Sequence, residues 1–208
     1  VKVDAPDPDY QTPTPITTYL EFEADLVHES GRRDSSNRFY VQVHNRGPQN
    51  ATNVQVRAFF ADASAGLPAL PADFWSSGKP FAGTPGTTDW TPIGNTQTIP
   101  TLEPAEPGVV VWNWNLPNSA AQHSCLLVVT TCAEDPINAG GELAVNALVP
   151  NNKHVTLKNL NIENAVPGAD PGPGQAMHVD LYPQPHSKGE TRVSLDTLGL
   201  PEKISLFA

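Results

Sequence analysis

Residues 40–47 read Tyr-Val-Gln-Val-His-Asn-Arg-Gly, and residues 54–60 read Val-Gln-Val-Arg-Ala-Phe-Phe. Side chains of an extended strand point alternately to its two faces, so apolar residues at every second position mark a strand with one buried face. Two such runs separated by a short polar stretch predict two adjacent antiparallel strands of an all-β domain. Gly47 stands at the corner between them, where a turn would call for a positive φ that glycine tolerates best.

The rest of the chain agrees with this class. Its 208 residues suffice for one large domain or one and a half ordinary ones. The 22 prolines and 15 glycines are interrupted throughout by apolar runs, so they indicate many turns and long connections rather than disorder. No window offers the helical apolar period over more than about two turns.

An extended, Pro- and Asp-rich arm is expected over 1–18, a first strand over 19–27, a polar loop over 31–37, and strands near 38–45 and 53–61. A long connection, 62–107, holds Leu67 to Trp75 and Trp90 to Gly94, with a short strand near 96–100. Residues 109–114 are nearly all apolar and predict a strand touched on both faces, with Trp112 and Trp114 on the core side. Further strands fall at 124–131 and at 155–162, the latter following a turn at Pro150-Asn151-Asn152. Residues 166–174 carry three prolines and three glycines and predict a linker. Beyond it, 176–182, 191–195 and 203–207 alternate again. The expected organisation is an arm (1–18), a β-sandwich (19–165), and a linker with C-terminal strands (166–208) that dock on the sandwich so as not to expose an apolar face.

Charge narrows the function classes. With 12 basic against 22 acidic residues the formal net charge is -10, so no basic face is available to neutralise phosphates, and neither nucleic acid nor an anionic membrane is an expected partner. No run of 18 apolar residues occurs, so membrane insertion is not expected. A start at Val1 without an initiator Met fits a processed protein or a piece of a longer one. Few lysines and many Thr, Asn and Pro fit a secreted one.

Reactive groups are few. Cys125 and Cys132 bracket one apolar run; fully extended, it would hold them too far apart for a disulfide, so the favoured reading is two free thiols with Cys125 buried. His123 and Cys125 do not complete a zinc or copper pattern. His44 or His154 could serve Cys125 only if the fold brought them together. Asp4, Asp7 and Asp9, with prolines between them, read as a solvated acidic arm rather than a calcium loop. No catalytic residue, metal ligand or cofactor site is assigned. The candidate ligand-binding residues are Phe74, Trp75 and Trp90 of the long connection, where exposed rings could stack on sugars or anchor a partner. The favoured alternative is that these rings fold back as a plug over an open sheet edge.

Residues 37–47 followed by 51–57 resemble the paired strands, joined by an Asn-Arg-Gly corner, of immunoglobulin-like CARDB-type domains of bacterial secreted and surface proteins. Residues 114–117, 123–127 and 151–160 look like the downstream strands of the same family. The resemblance implies an immunoglobulin-like antiparallel β-sandwich, extended here by the Trp-containing insertion and the C-terminal strand region. It implies an extracellular or cell-surface, non-catalytic accessory or adhesion module serving neighbouring domains of a parent protein, an extracellular protein or a glycan. The family offers no shared catalytic residues. A carbohydrate-binding module and, further off, a small β-sandwich enzyme or metalloprotein are the alternatives.

Overall fold

The computed structural model describes residues 1–6, 9–86 and 89–164. The chain divides into two units, Val1–Gly168 and Ala169–Ala208. The linker and the C-terminal strands expected over 166–208, and their docking, lie outside the described residues.

In chain order the elements are β1 (Lys2–Asp4), α1 (Tyr19–Ala24), β2 (Gly31–Arg32), β3 (Ser36–Val43), β4 (Ala51–Asp62), β5 (Thr91–Pro92), β6 (Gln97–Leu102), β7 (Gly108–Asn115), β8 (His123–Thr131), α2 (Val145–Asn151) and β9 (Val155–Glu163). The protein is all-β in character, with two short helices among the described residues. One sheet has the order β1-β3-β7; the other runs β2-β9-β8-β4-β5, with β6 also on β4. All pairings are antiparallel except the short parallel contact of β2 with β9.

The two sheets share one core. Phe39, Val41, Val110, Trp112 and Trp114 of the smaller sheet cluster with Val54, Val56, Ala58, Leu126, Val128 and Leu160 of the larger one. Phe39 stacks on Trp112 at 5.5 Å between ring centroids, and Trp114 meets Phe60 edge-on at 5.4 Å. Trp112 and Trp114 are therefore core residues, as the period of their strand predicted.

Both outer faces are covered as well. On the smaller sheet, Tyr40 packs with Ile16, Phe22 and Leu26, and Val109 and Val111 join from β7. That is the two-faced contact expected of the 109–114 run. On the larger sheet, Phe59 and Ala61 of β4 and Cys125, Leu127 and Val129 of β8 lie under Leu70, Phe74 and Trp90 of the insertion and Val145 and Leu148 of α2.

Four expectations are corrected. Residues 19–24 form a helix, not a strand. Leu20, Phe22, Ala24 and Leu26 alternate with acids, which mimics a strand, but Thr18 and Glu21 form a capping box: each side chain accepts from the other's backbone N–H. Phe22 and Leu26, four apart, then share the buried face, and Leu20 is left 64% exposed. The second correction concerns β3 and β4, which are not hydrogen-bonded neighbours. They lie in different sheets, joined by a seven-residue connection too long for a tight hairpin. Asn45 organises that connection, donating to the Gln49 and Leu102 carbonyls and accepting from Gly47 N. Gly47 is not among the positive-φ residues.

Third, the N-terminal residues are no loose arm. Lys2–Asp4 add a strand to β3. Asp4 is fully buried rather than solvated. It accepts from Gln11 N at 3.0 Å and lies 3.7 Å from Arg38, whose guanidinium donates to the Thr12 and Pro13 carbonyls and lies over the Tyr10 ring. Burial raises the Asp4 pKa against these opposing contacts. Fourth, the long connection covers the face of the larger sheet; its aromatic rings do not plug an edge.

Candidate functional site

Phe74, Trp75 and Trp90 are fixed by that packing. Phe74 is 0% exposed, its ring 5.1 Å from Phe59 and 4.7 Å from Trp75. Trp90 is 2% exposed and donates its indole N–H to the Pro68 carbonyl at 3.1 Å. Trp75 is half-buried and donates to the Glu142 carbonyl at 2.7 Å, tying the insertion to the segment before α2. Only Trp75 keeps part of its ring toward solvent; Phe74 and Trp90 have no open face for a sugar. The insertion is further held by Asp73, which accepts from Lys79 and from Gly86 N.

The reactive groups are dispersed. Cys125 and Cys132 are free thiols. Cys125 is buried at the outer face of β8, where it donates to Asn159 Oδ1 at 3.1 Å, and burial raises its pKa. Neither His44, which meets Gln42, nor His154, which meets Asp135, partners it. Burial also pushes the Cys132 thiol up. Nucleophilic cysteines need the opposite shift. Among the described residues no group of three or more His, Cys, Asp or Glu is placed to hold a metal ion, and no helix is long and apolar enough to cross a membrane.

One polar depression brings several such groups together. It has a volume of about 700 Å³ and opens between the segment following β8 and the turn that joins α2 to β9. Asp135 and Asn138 line one wall; Asn151, Asn152, Lys153 and His154 line the other. The Lys153 ammonium lies 2.6 Å from the Asp135 carboxylate, and His154 Nε2 lies 3.4 Å from it. Lys153 first, then His154, holds the Asp135 pKa below the ordinary carboxylate range, so the carboxylate stays ionised.

The carboxamides are each pinned at one end. Asn138 Oδ1 accepts from Gly140 N, Asn151 Nδ2 donates to the Ala147 carbonyl, and Asn152 bridges the walls by donating to the Asn138 carbonyl and accepting from His154 N. The His154 carbonyl is held in turn by Thr130 N at 2.9 Å, which anchors this rim to β8. Asn138 Nδ2 and Asn151 Oδ1 take no bond among the described residues. Sequence reading missed this site. Its one signal was the cluster Asn151-Asn152-Lys153-His154, which reads equally well as a turn.

A second depression, about 510 Å³, is lined by Phe60, Asp62, Pro68, Asp89 and Pro117 among others. Asp62 is committed to Ser64 N, which keeps its pKa low.

No protein-family model matches the chain, and no curated protein matches it.

Proposed function

We propose that the chain is a non-catalytic, immunoglobulin-like module of a larger extracellular bacterial protein, serving to position neighbouring domains or to bind a partner. One observation carries this reading. Both outer sheet faces are covered by the chain's own α1, α2 and insertion, so among the described residues recognition falls to connections and edges rather than to an open sheet face. The placement of consecutive strands β3 and β4 in opposite sheets supports an immunoglobulin-type sandwich. The insertion's Phe74 and Trp90 support a covering role rather than a catalytic or sugar-stacking one, and both thiols are shifted away from nucleophilic character.

The test is a panel of chromogenic peptide, ester, glycoside and phosphate-ester substrates offered to the full chain. The module reading expects no turnover above a heat-inactivated control. Turnover abolished by His154→Ala or Cys132→Ala in a variant that still melts like the wild type would make the protein an enzyme and overturn the reading.

A further inference from the structure

We propose that the depression between Asp135 and His154 binds a neutral, hydroxyl-rich ligand, namely a sugar unit of a glycan. The proposal rests on the binding-module reading and supplies its ligand class. Three observations carry it. The first is charge. Asp135 and Lys153 neutralise each other at 2.6 Å, so the depression has no uncompensated ion to select an anion or a cation.

The second is the kind and direction of the polar groups. A sugar hydroxyl both donates and accepts, so it is best met by planar side chains that offer both functions in fixed directions. Asn138 Nδ2 offers a donor and Asn151 Oδ1 an acceptor, and the Asp135 carboxylate has lone pairs beyond those used by its partners. Each amide is held by a bond at its other end, which lowers the side-chain ordering cost of binding. The third is shape. The depression is open rather than enclosed, which suits a unit within a longer glycan, and Val149 and Pro150 give the wall C–H surface for the apolar side of a ring.

The experiment uses the full chain with soluble cellohexaose, chitohexaose, xylohexaose and mannohexaose, each at millimolar concentration, read by amide chemical shifts in NMR. At least one should shift the side-chain amide signals of Asn138 and Asn151. Asn151→Ala should weaken that ligand at least about tenfold, as should Asp135→Asn, with melting temperatures retained as a check on folding. Trp75→Ala should leave the affinity unchanged, and added sodium chloride should not change it either.

Several results overturn the proposal. If none of the four sugars shifts these resonances, the ligand class is wrong. If Trp75→Ala removes binding and Asn151→Ala does not, the site is wrong while the module reading survives. An affinity that falls steeply with salt means a charged ligand. Hydrolysis of a bound oligosaccharide would instead overturn the module reading and leave the site standing.

Discussion

Replacing Gly94 by alanine tests how closely the larger sheet's edge is fitted to the core. Gly94 lies between β5 and β6 with φ +55°, in the left-handed region, and its carbonyl accepts from Arg57. A Cβ built there would sit 2.7 Å from Trp112 Cδ1. Trp112 cannot swing aside freely: it is 3% exposed, stacked on Phe39, and its indole N–H donates to the Asn95 carbonyl at 2.7 Å. The left-handed backbone costs an L-residue about 1–2 kcal/mol, and forcing extra volume into a packed core costs about 1–3 kcal/mol more. The expected loss is therefore about 2–5 kcal/mol. Gly140 is the internal control. Its φ is +57° and a Cβ there meets nothing within 4 Å, so Gly140→Ala should carry only the backbone part, about 1–2 kcal/mol. Urea unfolding followed by tryptophan fluorescence measures both, the midpoint shifting at constant slope. If Gly94→Ala destabilises no more than Gly140→Ala, the contact with Trp112 is not as tight as argued.

Three further outcomes are expected. Phe74→Ala removes a fully buried ring from between Phe59 and Trp75 and should cost about 3–5 kcal/mol in urea unfolding; a cost under about 1 kcal/mol would mean the insertion does not close the sheet face. A thiol reagent should label the half-buried Cys132 slowly in the native protein and Cys125 only after unfolding, so two rapidly labelled native thiols would contradict the packing of β8. Stability should fall as pH drops from about 6.5 toward 4. His28 Nδ1 accepts from Val3 N, and burial, then Lys158, the Val1 amino group and Lys2, lower its pKa to about 4. The unfolded chain therefore takes up the His28 proton first, and stability present above the unfolded value is lost on acidification. Because His28 keeps more than a third of its surface open to water, solvent screening discounts the effect to below about 1 kcal/mol. His28→Asn, whose Oδ1 can accept without titrating, should remove this part of the pH dependence; a wild-type-minus-variant difference that stays constant across the range would refute it.

Strand positions were legible because apolar period and buried faces are the same physical fact. Ser124 to Thr131 became β8 with Leu126 and Val128 facing one way and Cys125, Leu127 and Val129 the other, and Val109 to Trp114 became a strand used on both faces. Strand partners were not legible, because alternation says which face is buried but not which backbone lies alongside. That is why Tyr40 to Val43 and Val54 to Phe60 read as neighbours although β3 pairs with β7, and β4 with β8. The helix at Tyr19 was written in Thr18 and Glu21, a signal weaker to the eye than the alternation laid over it. The polar depression was least visible, since Asn138 and Asn151 lie 13 positions apart and their approach depends on α2 folding back onto β8 and β9.

The length of the insertion follows from the composition of β8. A strand with Cys125, Leu127 and Val129 on its second face cannot leave that face to water, and β4 adds Phe59 and Ala61 beside it. A helix as short as α2, seven residues, covers only part of such a surface. The chain between β4 and β5 supplies the remainder with Leu70, Phe74 and Trp90, and fixes it by indole bonds to the Pro68 and Glu142 carbonyls. Aromatic residues in a long loop look like recognition groups when read alone. Read with the second face of β8, they are what that face requires, because an indole covers a large apolar area while its N–H satisfies a loop carbonyl. Asn138, Asn151 and the Asp135–Lys153 pair stand on the connections flanking α2, on a rim anchored to β8 through the bond from Thr130 N to the His154 carbonyl.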